Sequence, residues 1–303
     1  MINRLIVALL QYMPKNFVWI FSKRYIAGEK LADALKVTRK FNTMRIKATM
    51  DLLGEFLTRA EKVEYYKTEY IKLIEESVRL GLDNSFSVKP TMFGLLLDPA
   101  MCYENIREIV AKAASHGRFI RIDMEDSQCT SMEIDLYKKL LNEFPDNVGL
   151  VLQAYLKRTL DDLKDLAEFD KGRGKINIRI CKGIYNEPAE LAYKDKDEIN
   201  RNYLIALEYM LSHNMYAAIA THDRKLINGA YELIGRDHLS KDRLEFQMLY
   251  GVTPDLRKTI VDKGFTMRVY VPYGKDWFNY STRRLRENPS MIPHMIKALF
   301  ISG

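Results

Sequence analysis

Eight short runs of strand character, each followed by a stretch of helical periodicity, constrain this chain more than any other feature. The strand-like runs fall at residues 44–55 (strand then loop), 86–91, 118–124, 148–154, 176–183, 216–222, 244–251 and 266–274. Between them the apolar spacing predicts helices over roughly 63–80, 103–116, 131–143, 159–169, 197–214, 224–234 and 254–263, and another over 276–288 after the last strand. Parallel strands need long crossovers, so repeated strand–helix alternation implies a parallel sheet. Eight units suit a closed (β/α)₈ barrel better than an open sheet. A dinucleotide fold is disfavoured, because no Gly-x-Gly-x-x-Gly follows a strand. Gly172-Arg173-Gly174 runs into one instead. Ahead of the first unit, residues 30–40 read as a helix with Leu31, Ala34, Leu35 and Thr38 on one face. The expected organisation is an α/β chain with an N-terminal helical arm, 1–43, and a distorted barrel with a C-terminal tail, 44–303.

Composition narrows the partners. The net charge of +7 is interspersed, with no long basic run, which argues against nucleic acid and leaves anionic substrates or an anionic membrane surface. Three cysteines without a Cys-x-x-Cys imply no disulfide framework and hence a reducing, cytoplasmic setting. None of the five histidines forms a helical metal-ligand pair, so no metal is expected. The apolar start at 1–10 lacks a cleavage site after it and falls far short of the ~20 residues that span a bilayer, so it reads as a packing or membrane-surface helix. The apolar stretch 292–300 reads as a barrel-capping tail or an amphipathic surface contact.

A barrel of this kind carries its reacting groups at the C-terminal ends of the strands. Those ends are polar here: Glu55, Lys89, Asp123, Gln153, Arg179 with Lys182, Thr221 with His222, Gln247, and Tyr270 with Tyr273. Arg179 lies inside an apolar strand and needs an anionic or acceptor partner. The helix after the last strand aligns Trp277, Tyr280 and Arg284 on one face, with Arg283 one step round and Glu287 in reach of either arginine. Two planar guanidiniums beside aromatic rings make a receptor for a small carboxylate. Surplus positive charge suits an anionic cofactor together with a carboxylate substrate. Two other readings stand beside that one. A barrel enzyme acting on a phosphorylated sugar or acid would want glycine-rich loops after strands seven and eight, where only Gly251 and Gly274 occur. A non-catalytic docking scaffold would leave the polar strand ends unexplained.

Seven segments in order, Asp51-Leu52-Leu53-Gly54-Glu55, Arg121 through Asp126, Val151 through Leu156, Arg179 through Tyr185, Ala220 through Asp223, Glu245 through Gly251 and Tyr270 through Glu287, resemble those of the proline dehydrogenases, over roughly residues 25–303. The resemblance implies a distorted barrel with its last helix across the mouth. It implies non-covalent FAD and oxidation of L-proline to Δ¹-pyrroline-5-carboxylate by hydride transfer to flavin N5. Electrons would pass to a membrane quinone, with peripheral contact at the inner face of the cell membrane. By the same resemblance Arg283 and Arg284 clamp the proline carboxylate with Lys89 as a third cation, and Tyr270 and Tyr280 wall the ring. Asp123 takes the position treated as catalytic, and Arg179 lies by N5. Met124, Gln153, Lys182, Gly183, Ile184, Thr221 and His222 match flavin-binding positions. Glu55 is a gate that pairs with the first arginine, and Glu287 supports the arginine forks. Cys181 and Ile184 stand where valine and alanine are more usual in this family.

Overall fold

The computed structural model describes residues 18, 19, 22–57, 59–278 and 280–282. Helix α1 (Leu31–Thr43) is followed by β1 (Lys47–Leu52), α2 (Ala60–Arg79), β2 (Asn84–Val88), a 3₁₀ turn (Pro90–Phe93) and α3 (Pro99–Ala114). Then come β3 (Ile120–Ile122), α4 (Thr130–Glu143), β4 (Val148–Gln153), α5 (Thr159–Asp170), β5 (Asn177–Cys181) and α6 (Lys196–Ser212). The series ends with β6 (Tyr216–Ala220), α7 (Arg224–Arg236), a 3₁₀ turn (Lys241–Arg243), β7 (Leu244–Leu249), α8 (Pro254–Asp262) and β8 (Met267–Tyr273). All eight strands pair in parallel with their chain neighbours, and β8 returns to β1 from Lys47↔Arg268 to Leu52↔Tyr273, closing the expected barrel.

Local chemistry sets the element boundaries. β1 starts three residues later than the periodicity suggests, because Arg45 takes a left-handed turn (φ 58°) and the Asn42 amide bonds the carbonyls of Ile46 and Asp83. α3 starts earlier than expected, at Pro99, because the Asp98 carboxylate accepts from the backbone N–H of Ala100 and Met101 and proline is tolerated in a first helical turn. Pro90 has no N–H to extend the β2 ladder. The chain therefore turns after Val88 and leaves Lys89 at the head of the 3₁₀ turn.

Strand pleat decides what faces inward. Alternate residues place Arg268 and Tyr270 of β8, Glu245 and Gln247 of β7, Ser85 and Ser87 of β2, and Arg121 and Asp123 at β3 in the interior. That interior is polar where barrels of this class usually carry Val, Ile and Leu. The lower layer is satisfied internally. Arg268 forks onto Glu245 (Nε–Oε1 2.8 Å, Nη2–Oε2 3.0 Å) and also donates to the Ala48 carbonyl. Burial would raise the Glu245 carboxyl, but Arg268 overcomes it and holds the group at about 2. Arg121 donates to the carbonyls of Leu150 and Asn177 and to the Asn177 side chain. Gly149 makes room for it, since a Cβ there would lie 2.4 Å from Arg121 Nη1.

Above β8 the chain becomes helical at Trp277. An N-terminal segment braces that turn. Val18, Ile26, Leu53, Trp277 and Tyr280 form a small apolar cluster of their own. Trp277 Nε1 donates to Glu29 Oε1 (2.6 Å), Ser22 and Ser281 share a hydrogen bond (2.8 Å), and the Trp19 and Trp277 rings lie 4.7 Å apart. Arg283, Arg284, Glu287 and the apolar stretches 1–10 and 292–300 lie outside the described residues.

Candidate active site

The strand ends surround a cavity of about 560 Å³. Thirteen of the residues singled out from sequence line it: Lys89, Asp123, Met124, Gln153, Arg179, Lys182, Gly183, Ile184, Thr221, His222, Gln247, Tyr270 and Tyr280. Its floor is a connected polar array. Arg179 Nη1 donates to Asp123 Oδ1 (2.8 Å), Arg179 Nε to Gln247 Oε1 (2.5 Å), and both terminal nitrogens of Arg179 reach Ser87 Oγ (3.2 Å each). The Tyr270 hydroxyl donates to Asp123 Oδ2 (2.8 Å). Burial, then Asp123 and Asp51, push that phenol well above its ordinary value, which keeps the donor protonated.

Lys89 completes the array. Its ammonium is 2.7 Å from Asp51 Oδ1, 3.5 Å from Asp123 Oδ2 and 3.2 Å from the Tyr270 hydroxyl. Burial alone would lower its pKa, but the two carboxylates outweigh it and hold the group above the ordinary lysine value. Asp51 was not singled out from sequence, which placed the end of the first strand at Glu55. It is fully buried within β1, and its partner lies 38 residues away. Glu55 instead faces an adjoining cavity of about 310 Å³, shared with Lys62, Asp276 and the two residues common to both cavities, Lys89 and Tyr280. Tyr273, paired with Tyr270 in the sequence inventory, stands three residues on and so takes the opposite strand face. It is buried in the main core, away from the cavity lining.

The wall over β4–β7 mixes apolar surface with a few oriented polar groups. Met124, Val151, Met248 and Leu249 give it flat apolar faces. Gly183 has φ 107°, and a Cβ there would fall 2.1 Å from the Tyr155 ring, so no side chain fits. Lys182 pairs with Asp223 (2.6 Å), whose other oxygen caps α7 through the Lys225 N–H. Leu249 N–H donates to His222 Nε2 (2.9 Å), which leaves the proton of a neutral ring on Nδ1.

Behind Asp123 stands Glu125, whose role depends on a contact from another strand's turn and carries no local sequence signal. It is fully buried, and its oxygens accept from the Thr91 N–H (2.8 Å) and hydroxyl (2.6 Å). Thr91 in turn receives Phe56 N–H on its hydroxyl and Leu57 N–H on its carbonyl, so Glu125 supports both the Lys89 turn and the Glu55 loop. Burial pushes Glu125 up to about 7, from an ordinary 4.5. Between those values the unfolded chain binds fewer protons than the folded one, so this group lowers stability as pH rises through that window. Glu125→Gln is therefore expected to raise Tm at pH 8 and leave it nearly unchanged at pH 5. Thermal melts at the two pH values check this, and equal gains at both would contradict it.

The geometry thus offers a cavity with an ion-paired polar floor, apolar walls and an aromatic edge. A sequence model of proline dehydrogenase matches residues 34–295. The chain belongs to the proline dehydrogenase family. It is 34% identical over 294 residues to the proline dehydrogenase of Deinococcus radiodurans, covering 96% of this chain and 93% of the relative. It is also 34% identical to proline dehydrogenase 2 of Bacillus subtilis, over 91% of this chain and 89% of that one. Among solved structures, proline utilization A from Bdellovibrio bacteriovorus inactivated by N-propargylglycine superposes with a TM-score of 0.82 at 27% identity. That match covers 89% of this chain and 33% of the longer one, so this chain spans about a third of its length. The family comprises oxidoreductases that carry out the first step of proline catabolism, and the chain is an enzyme of that class.

Proposed function

We propose that the cavity binds FAD and L-proline together, and that the enzyme oxidises proline to Δ¹-pyrroline-5-carboxylate and passes the electrons to a membrane quinone. The observation that carries this reading is the charge of the barrel interior under a family match. Lys89, Arg121 and Arg179 are buried there and Arg268 is nearly so, against the carboxylates of Asp51, Asp123 and Glu245, while burial pushes Glu125 towards its neutral form, which leaves one cation in excess for an anionic ligand.

The residues present fit a flavin. Apolar side chains at Met124, Val151, Met248 and Leu249 suit a flat ring system, and the absence of a side chain at Gly183 lets backbone approach it closely. Arg179, Lys182, Gln153, Thr221 and His222 would hold its polar edge, with Ile184 against its outer side. When bound, FAD supplies the acceptor for the hydride that leaves proline C5. The chain's own residues do the rest. Lys89, with Arg283 and Arg284, holds the substrate carboxylate, and a small rigid ring gripped at one end has little freedom left at the other. Tyr270 and Tyr280 confine the ring, and Tyr280 is itself held by the braced apolar cluster. Asp123 fixes Arg179, Lys89 and Tyr270 relative to one another. The nearby cations lower the pKa of the proline ammonium, which must lose a proton before hydride departs. Glu55 serves as the gate through pairing with Arg283, and Glu287 supports the arginine pair.

In this reading the chain divides into an N-terminal arm, 1–43, and a 44–303 barrel, with Val18, Trp19, Ser22, Ile26 and Glu29 bracing the turn at Trp277, and the enzyme works at the cytoplasmic face of the cell membrane, where its quinone resides. Among the described residues no helix is long and apolar enough to cross a membrane. Purified protein should carry a flavin spectrum, and L-proline should bleach it without oxygen. Protein that stays colourless after incubation with FAD would sink the proposal. Arg284→Lys is expected to raise KM for proline about tenfold or more, because an ammonium cannot reproduce a bidentate grip. Steady-state kinetics with an unchanged KM would count against the clamp.

A further inference from the structure

We propose that Glu187 is a positioning residue for the cofactor, a latch that holds the Gly183-Ile184-Tyr185 wall of the cavity closed by tying the β5–α6 loop to the β3–α4 loop. The inference rests on the FAD reading above and adds what keeps the cofactor in place.

Glu187 lies in a surface loop yet is only 7% exposed. Both of its carboxylate oxygens are used, accepting from the Ser127 N–H (2.7 Å) and the Ser127 hydroxyl (2.5 Å). Ser127 follows the cavity-lining run Asp123-Met124-Glu125 by two residues, and Glu187 follows Tyr185 by two. One carboxylate therefore joins the two loops that wall the cavity on either side of β4. The remaining edge of the β5–α6 loop is sewn to the β4–α5 loop: Lys157 N–H donates to the Leu191 carbonyl (2.9 Å), Tyr193 N–H to the Tyr155 carbonyl (2.8 Å), and Leu156 bridges Ala192. Lys194 caps the Glu187 carbonyl. Ile184 both lines the cavity and is 37% exposed, so this segment is the partition between cavity and solvent. Charge-assisted bonds to a buried carboxylate are among the stronger ones, and their loss would leave the Ser127 N–H without a partner.

The test uses the full-length protein and its Glu187→Ala, Glu187→Gln and Ser127→Ala variants, and reads FAD affinity and release rate by flavin fluorescence, kcat at saturating FAD, and the Tm of the cofactor-free form. Glu187→Ala should raise both the Kd for FAD and its release rate by about 10–100-fold, the effect of leaving a buried donor unpaired. Its kcat at saturating FAD should stay within about threefold of wild type, since no reacting group is touched. Glu187→Gln should recover most of the affinity, because its amide oxygen accepts from the Ser127 N–H while its amino group donates to the hydroxyl. Ser127→Ala removes one bond, keeps the N–H contact, and should fall between the two. Wild-type affinity and release rate in Glu187→Ala would overturn the latch, as would a Glu187→Gln variant no better than alanine. Should alanine at 187 prevent folding, a Ser127→Ala variant that releases FAD at the wild-type rate would overturn it equally. Wild-type protein that binds no FAD would instead overturn the functional reading on which the latch rests.

Discussion

Asp123→Ala is expected to lower kcat/KM for proline by about 10³-fold, the range seen when a preorganised electrostatic group is removed from an active site. One carboxylate organises three groups here. Its Oδ1 takes the Arg179 guanidinium and its Oδ2 takes the Tyr270 hydroxyl, with the Lys89 ammonium 3.5 Å away. Without it, Arg179 keeps only the neutral acceptors Gln247 and Ser87, and a buried guanidinium stripped of its counter-ion costs about 3–5 kcal/mol. Part of that cost should appear as a lower Tm, and part as lost alignment of the three side chains. Asp123→Asn should lie between alanine and wild type, since its amide oxygen can still accept from Arg179. Kinetics of the alanine variant within tenfold of wild type would show that Asp123 does not organise the site.

That array was partly legible in the sequence. Lys89 and Asp123 directly follow their strands, Arg179, Gln247 and Tyr270 lie within theirs, and once eight strands are counted the barrel brings these positions together whatever lies between them. Asp51 was not legible. The stretch Asp51-Leu52-Leu53-Gly54-Glu55 offers two carboxylates, and the outer one looked like the strand end. The choice between them depends on which pleat face of β1 points inward and on the register Asp51↔Pro272, and neither is a local property of the chain. Glu125 was hidden for a similar reason: in Asp123-Met124-Glu125-Asp126 the strand has already ended, and only the 3₁₀ turn from another strand reveals its role through Thr91. Glu187 sits in a stretch with no periodicity at all, and its partner is 60 residues away. The arginine pair shows the reverse case. The family resemblance names Arg283 and Arg284 as a carboxylate clamp, and both lie outside the described residues, which reach Thr282 with Tyr280 in the cavity wall.

Lys89→Met should separate binding from stability most cleanly. Methionine keeps much of the stem's volume and removes the charge, so the excess cation in the barrel interior disappears and Asp51 is left buried without a counter-ion. KM for proline is expected to rise about 100-fold, because truncating one member of a buried charged contact typically costs 2–5 kcal/mol. Thermal stability should fall as well, for the separate reason that Asp51 is stranded. The double variant Asp51→Asn/Lys89→Met tells these effects apart. Neutralising Asp51 removes the stranded charge, so the double variant should melt above Lys89→Met alone, yet its KM should stay high because no ammonium has been restored. A double variant that recovered KM would mean that Lys89 serves only to neutralise Asp51 and does not hold substrate. The raised pKa of Lys89 adds a check in the wild-type enzyme. Because Asp51 and Asp123 hold this ammonium above its ordinary 10.5, its charge is retained throughout the working pH range. A plot of KM against pH should therefore show no inflection from Lys89 below about pH 10, and a loss of affinity on that side must come from another group.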